Sequence, residues 1–310
     1  MPTAPLPPTP VVLDGGMGRE LRFRGVATLS TIWSANALLV APEVVRAVHA
    51  DYIAAGAQVI TTNTYGVIRH ELARVGLAHR LRELNELAGQ LAVDAREAAP
   101  HEVWIAGSLP PLNGSYRPDR VWPFAKAAPL YREQAEILAP YVDLFICETM
   151  SSAAEAVAAA SAACETGKPV WVAFTLHEDR SGRLRSGETI AEAVGALAGL
   201  PITGVLANCC APEAITAALP ALQATGAPYV GGYANTFTPV PETWTLDGGE
   251  PSDGPLDLRT DLDPAAYLAH AAAWWAAGAT VVGGCCGTRP AHIAQIAHLA
   301  AREGRPSGAR

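Results

Sequence analysis

Hydrophobic and polar positions along this chain fall into two alternating rhythms. Short β-branched runs recur at Val11–Gly16, Ala57–Thr64, Val103–Ser108, Asp143–Thr149, Pro169–Thr175, Ile202–Cys209, Tyr229–Asn235 and Thr280–Cys285. Most are continuously apolar, as expected of parallel strands buried on both faces. Between them lie amphipathic, Ala-rich stretches with helical spacing: Pro42–Ala55, Leu81–Ala99, Leu130–Tyr141, Ser151–Thr166, Glu188–Ala198, Pro212–Thr225 and Pro264–Ala277, with a last one opening near Arg289-Pro290. Ser or Pro opens several of them, and Gly167, Gly199 and Gly226 follow their ends, the usual punctuation of helix termini. Eight strand-then-helix repeats without a break in composition predict a single (β/α)8 TIM barrel. A doubly wound open sheet is the alternative, but Asp14-Gly-Gly-Met-Gly is a poor imitation of a dinucleotide-binding Gly-x-Gly-x-x-Gly.

Composition narrows the class. Half of the 310 residues are hydrophobic, enough for a large core. A net charge of −8 and the lack of a Lys/Arg cluster argue against nucleic acid as a partner. The Pro-rich start has neither the basic nor the apolar region of a signal peptide. No apolar run reaches the roughly 18 residues of a membrane span; the Ala-rich stretch 153–164 is too short and contains Glu155. The expectation is a soluble, cytoplasmic protein with no membrane contact. Six cysteines are too few for a disulfide scaffold and stay available as thiols in a reducing compartment.

A barrel gathers its chemistry at the carboxyl ends of its strands. Asp14 ends the first strand, Thr62 and Thr64 the second, Glu148 the fourth, Cys209 the sixth, and Cys285 and Cys286 the eighth. Long loops follow strands 3 and 7, at Leu109–Pro129 and Thr236–Asp263. The second far exceeds the usual connection of about four to six residues, and it reads equally as a substrate lid or a plain insertion. Three thiols from two strand ends suit zinc with its fourth position open, the arrangement that separates a catalytic zinc from a structural one. The bland reading of Cys285-Cys286 is a pair of small apolar residues in a glycine turn. Cys147, Cys164 and Cys210 read as packing residues or spectators.

The motifs Asp14-Gly-Gly-Met-Gly, Leu29-Ser-Thr-Ile-Trp33-Ser-Ala, His49-Ala-Asp-Tyr-Ile-Ala-Ala-Gly-Ala57, Thr61-Thr-Asn-Thr-Tyr65, Phe145-Ile-Cys-Glu148-Thr, Ala207-Asn-Cys209 and Gly283-Gly-Cys-Cys-Gly-Thr288 occur in this order. With them the chain resembles the zinc-dependent homocysteine S-methyltransferases over about residues 10–300. The resemblance implies that Cys209, Cys285 and Cys286 bind Zn2+ and that Cys209, which directly follows Asn208, is the ligand in preference to Cys210. It implies that Asp14 and Glu148 receive the amino group of homocysteine, and that the Gly15 backbone and the Thr62 hydroxyl hold its carboxylate. Trp33 lies where family members place an aromatic residue near the methyl donor. The family's Gly-Pro-Tyr-Gly segment is replaced by Ser108-Leu-Pro-Pro-Leu-Asn-Gly-Ser-Tyr116. The expected organisation is a Pro-rich arm over 1–10, a homocysteine-binding barrel over 11–303 and a tail over 304–310.

The chemistry follows from the thiol. A free thiol has a pKa near 8.5 and is a poor nucleophile while protonated; a coordinated thiol is deprotonated. The methyl donor then needs its own positive charge, as a sulfonium or quaternary ammonium, and aromatic faces stabilise such a cation. Trp33, Tyr65, Tyr233 and Phe237 are candidates. S-methylmethionine is the first expectation for the donor, S-adenosylmethionine the second and betaine the third. The competing expectations are the homocysteine-activating subunit of a split cobalamin-dependent methionine synthase and a zinc- and thiol-binding protein without turnover. Partners are small molecules; the sequence leaves open the oligomeric state, a homo-oligomer included, and the fourth zinc ligand.

Overall fold

The computed structural model describes residues 6–28, 31–240 and 257–303. Part of the expected arm (1–5), the middle of the long loop after strand 7 (241–256) and the tail (304–310) lie outside them. Eight parallel strands form one sheet: β1 (Val11–Val12), β2 (Val59–Thr61), β3 (Trp104–Leu109), β4 (Leu144–Met150), β5 (Val170–Phe174), β6 (Ile202–Asn208), β7 (Tyr229–Ala234) and β8 (Val281–Gly284). They are hydrogen-bonded in the order β1-β8-β7-β6-β5-β4-β3-β2. A parallel bridge from Leu13 to Val59 joins the two ends, so the sheet closes on itself. The architecture is the expected (β/α)8 TIM barrel.

The helices form the outer ring: α1 (Met17–Phe23), α2 (Asn36–Val40), α3 (Pro42–Ala54), α4 (Arg69–Arg74), α5 (Leu81–Glu97), α6 (Phe124–Leu138), α7 (Ala153–Cys164), α8 (Ile190–Ala196), α9 (Pro212–Gln223), α10 (Pro264–Ala276) and α11 (Pro290–Glu303). Local chemistry sets their starts. Ser152 accepts the Glu155 N–H ahead of α7, Thr189 and Glu192 form a reciprocal capping box at α8, and Asp263 accepts two N–H groups at α10, satisfying donors that a helix leaves unpaired. One boundary differs from expectation. Helix α6 begins at Phe124 and carries Pro129 inside it, because the carbonyl that loses its partner to the proline ring belongs to Ala125, on the exposed side.

Side chains alternate into and out of the barrel. Val11, Leu13, Val59, Trp104, Ala106, Leu144, Ile146, Trp171, Ala173, Leu206 and Val281 fill the interior, while their neighbours pack against the helices. Trp171 stacks on Tyr229 at 4.8 Å, and the Tyr229 hydroxyl donates to the Pro7 carbonyl at 2.9 Å. Continuing the same parity upward puts Thr61, Ser108, Glu148, Thr175, Asn208 and Cys285 at the carboxyl rim. Of these, Thr61, Glu148 and Cys285 line the cleft described next. Among the described residues no helix is long and apolar enough to cross a membrane.

Candidate active site

The β8 strand runs out at Gly284, and the chain turns sharply through Cys285-Cys286-Gly287, with Gly287 at φ 85°. Thr288 fixes this turn by returning both its N–H and its hydroxyl to the Cys285 carbonyl. The turn after β1 lies directly against it: a Cβ on Gly16 would stand 2.7 Å from the Cys285 carbonyl oxygen, so only glycine fits there. The Gly16 N–H donates to the Thr288 hydroxyl at 3.3 Å, and the Tyr52 hydroxyl reaches the carbonyls of both Gly16 and Thr288 at 3.2 and 3.0 Å. Sequence reasoning missed Tyr52 and Thr288 as organisers, since helical position and turn composition alone give no hint of that contact.

From the opposite wall, Cys209 follows β6 in a left-handed conformation (φ 50°). Its sulfur lies 3.8 Å from that of Cys286, and the ligand atoms of Cys209, Cys285 and Cys286 all fall within 4.8 Å of one another. Tetrahedral ligands with zinc–sulfur bonds of about 2.3 Å stand about 3.8 Å apart, so the three thiols fit a metal ion of that kind. Cys210 turns away into the packing between barrel and helices, and burial pushes its thiol far up. Hydrogen bonding among the three thiols holds Cys209 well below the usual thiol range and pushes Cys285 and Cys286 up. The Tyr116 hydroxyl also lies 3.0 Å from the Cys209 sulfur. Nothing in the sequence marked Tyr116 for this position; it arrives there from the loop after β3 at φ 63°.

Two carboxylates face the same space. Asp14 accepts the Thr61 N–H at 2.8 Å and the Thr61 hydroxyl at 3.2 Å. Glu148 accepts from the Ser108 hydroxyl and from the Tyr233 hydroxyl, the latter at 3.3 Å. Burial, opposed by the Thr61 hydrogen bonds and reinforced by the nearby Glu148 charge, pushes Asp14 up to about 8. Burial also pushes Glu148 up to about 7. Two buried acids so perturbed, with no cation between them, form a site shaped for a positive charge.

The cleft they line measures about 850 Å³ with its open mouth. Asp14, Gly15, Trp33, Tyr65, Glu148, Cys209, Cys285 and Cys286 all border it, as do Tyr233 and Phe237. Thr62, expected at the substrate carboxylate, is not brought to it. The Thr62 hydroxyl accepts the Ser108 N–H at 3.1 Å and lies 2.8 Å from the Thr64 hydroxyl, whose own proton goes to the Ser108 carbonyl. The Thr62 proton is therefore spent on Thr64, and Thr61, one residue earlier and of inward parity, lines the cleft instead. Counting in twos from Val59 is the signal that finds it. Trp33 is held at φ 47° against Gly18, where a Cβ would stand 2.4 Å from the indole nitrogen. Tyr65 is anchored 2.7 Å from the Ser115 hydroxyl. Left-handed non-glycine residues thus gather at this site, where strain commonly accompanies function.

The family profile described as homocysteine S-methyltransferase matches residues 11–300. The chain belongs to the homocysteine S-methyltransferase family. It is 33% identical over 305 residues to the homocysteine S-methyltransferase of Escherichia coli K12, covering 92% of this chain and 94% of that one. Homocysteine S-methyltransferase 4 of Zea mays is 29% identical, over 92% of this chain and 88% of its own. The metallated form of the E. coli homocysteine methyltransferase MmuM superposes with a TM-score of 0.77 at 32% identity, covering 93% and 96% of the two chains.

Proposed function

We propose that this protein transfers a methyl group from an onium donor, S-methylmethionine first and S-adenosylmethionine second, to the sulfur of L-homocysteine bound beside Cys209, Cys285 and Cys286. The observation that carries this reading is the placement of the three thiols and the two buried carboxylates on one cleft. The thiols are the ligand set for Zn2+. A bound zinc ion supplies an electrophile that keeps the substrate thiol deprotonated at neutral pH.

The remaining roles belong to the chain's own groups. Asp14 and Glu148 receive the substrate ammonium, which offsets the burial that pushes both carboxyls up. Ser108 and Tyr233 orient Glu148, and Thr61 orients Asp14. The Gly15 backbone is assigned to the substrate carboxylate. Trp33, Tyr65, Tyr233 and Phe237 present aromatic surface to a cationic methyl group and exclude water from the line between donor and acceptor, which is the orientational part of the rate. No general base is needed for the transfer itself, because the acceptor has already lost its proton.

Titrating homocysteine into the cobalt(II)-substituted protein tests the acceptor half of this reading. An added sulfur-to-metal charge-transfer band that saturates with homocysteine, and not with methionine, supports it. A spectrum indifferent to homocysteine would sink it. The cytoplasmic location belongs to the same proposal, since thiols of this kind persist in a reducing compartment.

A further inference from the structure

We propose that Asn208 is a positioning residue that ties the metal-binding end of β6 to the ammonium-binding end of β4, so that Cys209 and Glu148 are set by one rigid connection. The inference rests on the proposed roles of those two residues. Strand β4 breaks register against β5 between Cys147 and Met150. A bulge of this kind re-aims a side chain and leaves a backbone group without a ladder partner. Here Glu148 keeps the inward parity of Leu144 and Ile146, and the irregularity puts Thr149 at φ 61°.

The Thr149 N–H freed by the bulge is satisfied from across the barrel mouth. It donates to the Asn208 carboxamide oxygen at 2.8 Å, and the Asn208 amide nitrogen donates to the Thr149 hydroxyl oxygen at 3.0 Å. Both residues are fully buried. Strand β5 lies between β4 and β6, so this pair skips a strand and cannot be part of the sheet's own ladder.

Each half of the link sits next to a functional residue in the chain. Asn208 precedes Cys209 and Thr149 follows Glu148, and both Cys209 and Thr149 are left-handed. Non-glycine residues hold that conformation only where surrounding bonds over-determine it. A carboxamide is the side chain that offers an acceptor for an N–H and a donor for a hydroxyl in one plane. Beyond that link, the Cys209 N–H donates to the Tyr233 carbonyl at 3.1 Å and the Thr175 hydroxyl donates to the Cys209 carbonyl at 3.3 Å. The arrangement is that of an outer support to a metal ligand, of the kind whose loss costs about 10- to 100-fold in metal affinity or activity.

The test compares Asn208→Ala, Thr149→Ala and Thr149→Ser in the full-length protein loaded with cobalt(II). Asn208→Ala is expected to alter the thiolate-to-cobalt band before any substrate is added and to weaken metal and homocysteine together by about tenfold or more, while the KM for the methyl donor stays put. Thr149→Ser keeps the hydroxyl and is expected to retain the wild-type spectrum; Thr149→Ala is expected to shift it in the same direction as Asn208→Ala. A lowered melting temperature with unchanged cobalt spectrum and homocysteine affinity would overturn the proposal. If Asn208→Ala does not fold, Thr149→Ala against Thr149→Ser decides it alone. A wild-type protein that transfers no methyl group refutes the proposed reaction, but the spectra still decide the role of Asn208.

Discussion

Glu148→Gln should make the empty protein more stable and the substrate weaker, and both changes follow from one shift. In the metal-free, substrate-free cleft the carboxyl of Glu148 rises from 4.5 to about 7, chiefly through burial. As pH rises past 4.5 the unfolded chain ionises at this position while the folded one does not, so folding stability falls until the folded group ionises near 7. At about 1.4 kcal/mol per pH unit the full loss is about 3 kcal/mol, present at pH 8 and absent at pH 4.5. Glutamine keeps an acceptor for Ser108 and does not titrate. Urea denaturation of metal-free protein under reducing conditions should therefore give equal stabilities for variant and wild type near pH 4.5, and a variant more stable by about 3 kcal/mol at pH 8. Calorimetry of the metal-loaded pair should show the reverse for the ligand. Losing one charge-assisted hydrogen bond to the ammonium costs about 1.5–3 kcal/mol, or roughly ten- to a hundredfold in homocysteine affinity. A variant no more stable at pH 8 than wild type, or one that binds homocysteine as tightly, would refute the reasoning.

Further outcomes follow from the same structure. Homocysteine affinity at constant metal loading should fall as pH is lowered from 8 to 6, because Asp14 near 8 and Glu148 near 7 must both lose protons to hold the ammonium; a pH-independent dissociation constant over that range contradicts their role. His49 is buried with both ring nitrogens unpartnered, and burial lowers it to about 4. Its contribution is intact above about 6.5 and lost as pH falls toward 4, so His49→Leu should flatten the acid limb of the stability profile by up to about 3 kcal/mol, read by melting at pH 4.5 and 7.5. Gly18→Ala should push the Trp33 indole off the cleft wall and raise the KM for the methyl donor more than that for homocysteine. Cys285→Ala should abolish metal binding and turnover in a barrel that still shows native circular dichroism, whereas Cys210→Ala should leave both close to wild type.

The strand–helix rhythm made the barrel legible, and the rim residues followed from strand ends. Cys209, Cys285, Cys286, Asp14 and Glu148 share the cleft for that reason. What the sequence concealed depends on backbone conformations with no compositional trace. Strand β1 ends at Val12, with one further bridge at Leu13, and does not reach Gly16, because the chain beyond it turns so that Asp14 can accept from Thr61 and Gly16 can rest on Cys285. Thr62 was the residue expected at the substrate carboxylate, and pleat parity gives the inward position to Thr61. The β4 bulge, the left-handed Thr149 and the reach of Tyr116 to Cys209 arise from tertiary contacts between segments far apart in the chain. No local pattern announces them.

The central claim is tested most directly by incubating the zinc-loaded protein anaerobically with homocysteine and a mixture of S-methylmethionine, S-adenosylmethionine and betaine, each carrying a different isotopic label in its methyl group. Mass spectrometry of the methionine formed identifies the donor and establishes the reaction together. The account predicts methionine carrying the S-methylmethionine label, lost on chelation and restored by zinc. Homocysteine bound but unmethylated by every donor, or methylated only when a methylated corrinoid protein is added, would contradict it.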